Sequence, residues 1–145
     1  MRNALYSLGY TVGNIVILSP INGVFEDNDM FAFASHLSQN RLIYMRGNKE
    51  NSTIGHAWVI DGCLYVKALY RLMATYDGTT WSVFQEMGTY KTCHNHINWG
   101  ADGNCNGYFN GWIFNPNYAI SYDVNGYNSS SSAYVRDFQY FTVTH

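Results

Sequence analysis

Five histidines and three cysteines hold the reactive chemistry of this 145-residue chain. His56 lies in Gly55-His56-Ala57-Trp58-Val59-Ile60-Asp61-Gly62, a run that reads as a strand. In a strand, residues 56, 58 and 60 share one face and 57, 59 and 61 the other. The flanks are strongly apolar, so the imidazole enters a partly dry site where its pKa, ordinarily about 6.5, can be tuned for proton transfer. A glycine immediately before it leaves room for another backbone to approach. The same pattern also fits a structural, hydrogen-bonded histidine.

Downstream, Cys93-His94-Asn95-His96-Ile97-Asn98-Trp99-Gly100 leads into Gly103-Asn104-Cys105-Asn106-Gly107-Tyr108-Phe109. An amide acceptor such as Asn98, close to His56 in space, would fix the imidazole tautomer, and Trp99 would shield that bond from water. This is the third-member role of a thiol or hydroxyl nucleophile system. His94 and His96 share a strand face, Cys93 points to the other, and Cys105 follows on a loop. Zinc needs four converging ligands, and tight CxxC-type spacing is missing, so neither a metal nor a cofactor is expected. Three cysteines at irregular spacing allow at most one disulfide. A bridge between Cys93 and Cys105 would pin the Asn-Trp-Gly loop, while Cys63 reads as a small core residue. His36 on a helix and His145 at the terminus read as solvent-exposed. Glu26, Asp27 and Asp29 read as a helix start and not as a paired-carboxylate site.

The elements that must position these residues follow from periodicity and turn signals. Residues 1–8 read as a helix stopped by Gly9, and 14–18 as a short buried strand. The recurrence of Met30, Phe31, Phe33, Ala34 and Leu37 predicts a helix from Asn28-Asp29 to Asn40. Strands are expected at Leu42–Arg46, Gly55–Asp61, Leu64–Tyr76, Trp81–Gln85, Thr89–Trp99, Tyr108–Phe114, Tyr118–Tyr122 and Ala133–Val143. Asp77-Gly78 reads as a hairpin turn and Asn125–Ser132 as a polar loop. Two helices followed by a run of strands is an α+β layout in a single domain spanning 1–145.

Composition narrows the function classes. Aromatic residues reach 17%, with 13 tyrosines, which suits strands and half-wet surfaces and fits either sheet filler or a groove for peptide or sugar. Charged residues are only 12% and the net charge is −2, against a nucleic-acid partner or an anionic-membrane surface. The longest aliphatic run, Ile15-Val16-Ile17-Leu18, falls far short of the roughly 20 residues that cross a bilayer, so no membrane is expected as a partner. No signal peptide is visible in this chain.

Taken together, Gly-His-Ala-Trp-Val-Ile-Asp-Gly at 55–62, His-Ile-Asn-Trp-Gly at 96–100 and Asn-Gly-Tyr-Phe at 106–109 resemble the streptopain family of cysteine peptidases. Ala4-Leu5-Tyr6-Ser7-Leu8-Gly9-Tyr10 and Leu42-Ile43-Tyr44-Met45-Arg46-Gly47 extend the resemblance upstream. It implies a papain-like fold, protein or peptide substrates, and a secreted or cell-envelope location. His56 would be the catalytic histidine, flanked by Asn98 and Trp99, either of which could orient it. Gly55, Gly100 and Ala101 would line the substrate cleft, and the stretch 115–132 would match the family's glycine-rich active-site loop. Two departures accompany it. Ala101 stands where the family's Asn-Trp-Gly-Trp has its second tryptophan, and all three cysteines lie after His56, whereas the family's nucleophile lies well before it. The expectation is therefore the β-rich C-terminal part of such a catalytic domain, N-terminally truncated and inactive alone. A missing N-terminal lobe or self-association would complete it. The alternative is a non-catalytic remnant that binds peptides or a partner.

Overall fold

The computed structural model describes residues 1–18, 27–50, 52–100, 102–110, 114–123 and 133–144, with the backbone alone at 27–30 and 122. Helix α1 (Arg2–Ser7) ends at Gly9, whose φ of 86° is the left-handed conformation that a glycine stop supplies. Strands β1 (Thr11–Val12) and β2 (Val16–Leu18) precede helix α2 (Asp27–Ser38). Then come β3 (Leu42–Lys49), β4 (Gly55–Ala74), β5 (Ser82–Asn98), β6 (Gly107–Asn110), β7 (Ser121–Tyr122) and β8 (Tyr134–Thr144). All pairings are antiparallel in one sheet ordered β1-β8-β3-β4-β5-β6-β7, with β2 also on β8. The architecture is α+β, as the order of elements predicts.

Period-two alternation sorts the sheet's two faces. Ile43 and Met45 on β3, Trp58 and Ile60 on β4, and Phe138 and Tyr140 on β8 form one buried face, and Phe33 from α2 packs onto it. Phe33 meets the Tyr140 ring edge-on at 5.1 Å. The opposite face carries a smaller cluster of Val12, Phe141 and Val143, with Leu5 of α1 packed against it. At Gly47 a Cβ would come within 2.6 Å of the Phe138 ring and 3.1 Å of Trp58, so only glycine fits opposite His56 in the β3–β4 register.

Several strand boundaries differ from the sequence expectation. The strands predicted to end at Asp61 and to restart at Leu64 are one continuous β4. Asp61 is the extra residue of a bulge, and pairing resumes at Gly62. A Cβ at Gly62 would press on His96 at 3.1 Å, so this glycine serves close packing and not termination. Likewise Trp81–Gln85 and Thr89–Trp99 merge into β5, which absorbs its irregularities as bulges beside Gly88. The turn between β4 and β5 forms at Asp77, whose carboxylate accepts the Thr79 and Thr80 amides at 2.8 and 2.7 Å. Strand β3 runs three residues past the predicted Arg46. Strand β7 is shorter than expected, because Tyr118 closes a turn onto the Asn115 carbonyl, and residues 111–113 of the strand predicted at Tyr108–Phe114 fall outside the described residues. The predicted loop Asn125–Ser132 falls outside the described residues, as do Glu26, Ala101 and His145.

Candidate functional site

His56 enters the sheet at the start of β4, opposite Gly47, on the same face as Trp58. Its ring lies roughly parallel to three others, with centroids 6.4 Å from Trp58, 6.1 Å from Trp99 and 5.8 Å from Tyr134. Behind them Trp58 packs on Trp99 at 5.0 Å and on Phe114 at 5.3 Å, both part of the buried core. The imidazole therefore has an apolar backing while one side stays open to solvent.

The His56 Nε2 lies 2.9 Å from the Trp99 carbonyl oxygen. A carbonyl only accepts, so Nε2 carries a proton, and in the neutral ring Nδ1 is the nitrogen with the lone pair. That tautomer is the form a general base requires. The carbonyl is in turn held by its neighbours. The Trp99 N–H donates to Asn106 Oδ1 at 3.0 Å, and the Gly100 N–H donates to Asn98 Oδ1 at 2.9 Å. Gly100 adopts a φ of 75°, which turns the chain after Trp99. Thus of the two residues expected to flank His56, Trp99 contacts it through its main chain and ring, whereas Asn98 shapes the turn. Both indole N–H groups, of Trp58 and Trp99, are buried without a partner among the described residues.

Gly55, His56 and Ala57 line a surface cavity of about 460 Å³ together with Tyr44, Arg46 and Asn48. A Cβ at Gly55 would collide with Asn48 Oδ1 and sit 3.2 Å from the Gly47 carbonyl, so the close backbone approach anticipated there is present. Gly100 is exposed beyond the Trp99 turn; Ala101 lies outside the described residues.

The cysteine arrangement corrects the expectation. Cys63 and Cys93 form the disulfide, joining β4 to β5 across adjacent strands, and Cys105 is free and buried in the core. The bridge that would have joined Cys93 to Cys105, left open by the sequence, does not form: Cys93 lies diagonally across from Cys63 on the adjacent strand, just beyond the β4 bulge. His94 and His96 do share a face, yet among the described residues they join no group of three or more His, Cys, Asp or Glu able to hold a metal ion. His96 spends Nδ1 on Asp61 at 2.5 Å and Nε2 on Asp123 at 2.8 Å. Burial alone would lower the His96 pKa, but the hydrogen bonds and charges of the two aspartates outweigh it and raise the value. His36 is also not the exposed residue expected: it is half-buried beside Tyr140, and burial followed by the Arg41 charge lowers its pKa.

The Peptidase C10 family, that of streptopain, matches residues 18–109, more than half of the chain. The chain belongs to the Peptidase C10 family. No curated protein and no solved structure matches it. The segment matched to the C10 family contains His56, Asn98, Trp99 and Asn106. Asn106 went without a role in the sequence reading, although its Asn-Gly-Tyr-Phe motif was the available signal. Tyr134 also went unnoticed and lies outside the C10 match. It is one of 13 tyrosines, on a strand far down the chain, and only the β3–β8 pairing brings it to His56. Burial raises its hydroxyl pKa.

Proposed function

We propose that this chain forms the histidine-bearing part of a papain-like cysteine endopeptidase site that acts on proteins or peptides. The observation carrying this reading is the His56 Nε2–H on the Trp99 carbonyl, which leaves Nδ1 free on a ring backed by aromatic side chains. Nδ1 takes the proton of a nucleophilic thiol, the thiolate adds to the scissile carbonyl, and the imidazolium returns the proton to the leaving amine. Water then hydrolyses the thioester by the same base. The solvent-facing side of the His56 ring, with Gly55 before it and the exposed Gly100 beyond the Trp99 turn, supports a peptide lying against it, Gly55 and Gly100 offering backbone and Ala101 following them. The thiol comes from outside the cysteines of this chain: Cys63 and Cys93 are bridged, and Cys105 is 5% exposed. This chain is then the C-terminal part of the catalytic domain and is inactive by itself. A disulfide fits the secreted or cell-envelope location that the family resemblance implies.

Casein hydrolysis by the purified chain under reducing conditions is expected to be nil. Turnover lost on both thiol alkylation and His56→Ala would overturn the external nucleophile. The ¹⁵N shifts of the His56 ring should report the Nε2–H tautomer, and an Nδ1–H tautomer would remove His56 as the base. Peptide binding that survives His56→Ala would favour the non-catalytic remnant instead.

A further inference from the structure

Beyond the body of the sheet, β4 and β5 continue as a two-stranded arm. Pairing of β3 with β4 ends at Ile60, and pairing of β6 with β5 covers only His94–Ile97. Among the described residues, therefore, no strand lies against the outer edge of β4 from Gly62 to Ala74. A two-stranded ribbon in water is marginal, and a long, flat, apolar free edge is a template for another strand. The protections of this edge are two charges and, at its start, helix α2, whose Phe31 ring packs on Tyr65 at 5.8 Å. Cys63–Ala74 contains no glycine or proline, and the irregularities of the arm fall on β5, where Met87 and Phe84 are the extra residues. Lys67 and Arg71 are the only charges on it.

One face of β4 is apolar, and on the other apolar residues alternate with Lys67 and Arg71. Leu64, Val66, Tyr70 and Leu72 lie on one face and Leu69 and Met73 on the other, all between 38% and 56% exposed. We propose that the outer edge of β4 is a self-association surface, pairing antiparallel with the same edge of a second copy about a two-fold axis. A strand edge is complementary to itself, as an isologous interface requires. Thirteen paired residues supply about a dozen main-chain hydrogen bonds, comparable to the roughly ten of a standard interface.

Charge selects the register. An axis through Lys67, Leu69 or Arg71 sets like charges opposite one another. An axis through Ala68 avoids this over the whole span of 62–74, placing Leu64 opposite Leu72 and Val66 opposite Tyr70 of the second copy. The paired arms become the centre of a four-stranded sheet.

Sedimentation of the oxidised chain is expected to show a concentration-dependent dimer of about 33 kDa, twice the 16.5 kDa of one copy. The double variant Val66→Lys/Tyr70→Lys places lysines opposite lysines and should raise the dimer dissociation constant at least about tenfold. Val66→Glu/Tyr70→Lys places opposite charges together and should restore it. Ala68→Cys, on the axis, should cross-link two copies on oxidation, which tests the register even if a double variant folds poorly. A monomer at all concentrations, or a dimer indifferent to the lysine pair, overturns the surface. Equal weakening by both double variants, or no cross-link through Ala68→Cys, overturns the register.

Discussion

The carbonyl that His56 grips belongs to a stretch of main chain fixed at two successive amides. Asn106 accepts from Trp99 and Asn98 accepts from Gly100, so the direction of the Trp99 C=O depends on side chains that never touch the imidazole. Removing the Asn106 acceptor leaves the half-buried Trp99 N–H without its partner, which costs about 1–2 kcal/mol. Asn106→Ala should therefore lower stability in urea unfolding by about that amount, while Asn106→Asp, which keeps an acceptor oxygen, should lose less than half as much. Equal losses would mean that Asn106 acts by packing alone. At this scale the motif-bearing residues were legible and their connections were not. His56, Asn98 and Trp99 stood out by type and order, but a sequence does not say that a tryptophan acts through its carbonyl. Nor does it single out Tyr134, whose ring faces His56 from across the sheet.

Elements are tied together by His96, which bridges the bulge of β4 at Asp61 and the chain after β7 at Asp123, with the Tyr108 ring against it at 5.0 Å. The bridge is strongest with the imidazole protonated between two carboxylates. Its folded pKa is raised above the ordinary value of about 6.5, so its contribution is complete below about pH 6.5 and is lost as pH climbs through the raised folded value. The thermal midpoint of the native chain should fall across that interval, and His96→Asn should fall less steeply. An identical slope in the variant would sink the assignment, because His36, His56 and His94 are common to both. Element existence read well from the sequence: both helices, the β4–β5 hairpin with its Asp77 turn, and the closing strand all occur where patterning predicts. Boundaries failed at the glycines. The strand ends expected at Asp61 and Gln85 are not ends: antiparallel pairing continues through Gly62 and Gly88, with a bulge beside each absorbing the extra residue.

At the scale of the molecule the chain has two parts of unequal stability. The body buries Ile43, Met45, Trp58 and Ile97 at 1% exposure or less, whereas the arm buries none of its apolar side chains between Leu64 and Tyr90. The Cys63–Cys93 disulfide sits where the two parts meet and closes a loop with a sequence separation of 30, containing the whole arm. When the arm alone opens, the pairing of Ile60 with Ile97 in the body still holds the ends of that loop together, so the bridge adds little to the free energy of opening the arm. In global unfolding the bridge alone closes the loop, and it raises that free energy by about 2–4 kcal/mol, mostly by restricting the unfolded chain. Hydrogen exchange should therefore separate the two. In the Val66→Lys/Tyr70→Lys background, which removes protection by a second copy, reduction should speed exchange of the Ile43, Met45 and Trp58 amides, which open with the whole molecule, by about 30-fold to 1,000-fold. The amides of Leu69–Leu72 should change little. Equal acceleration in body and arm would mean that the arm unfolds only when the body does.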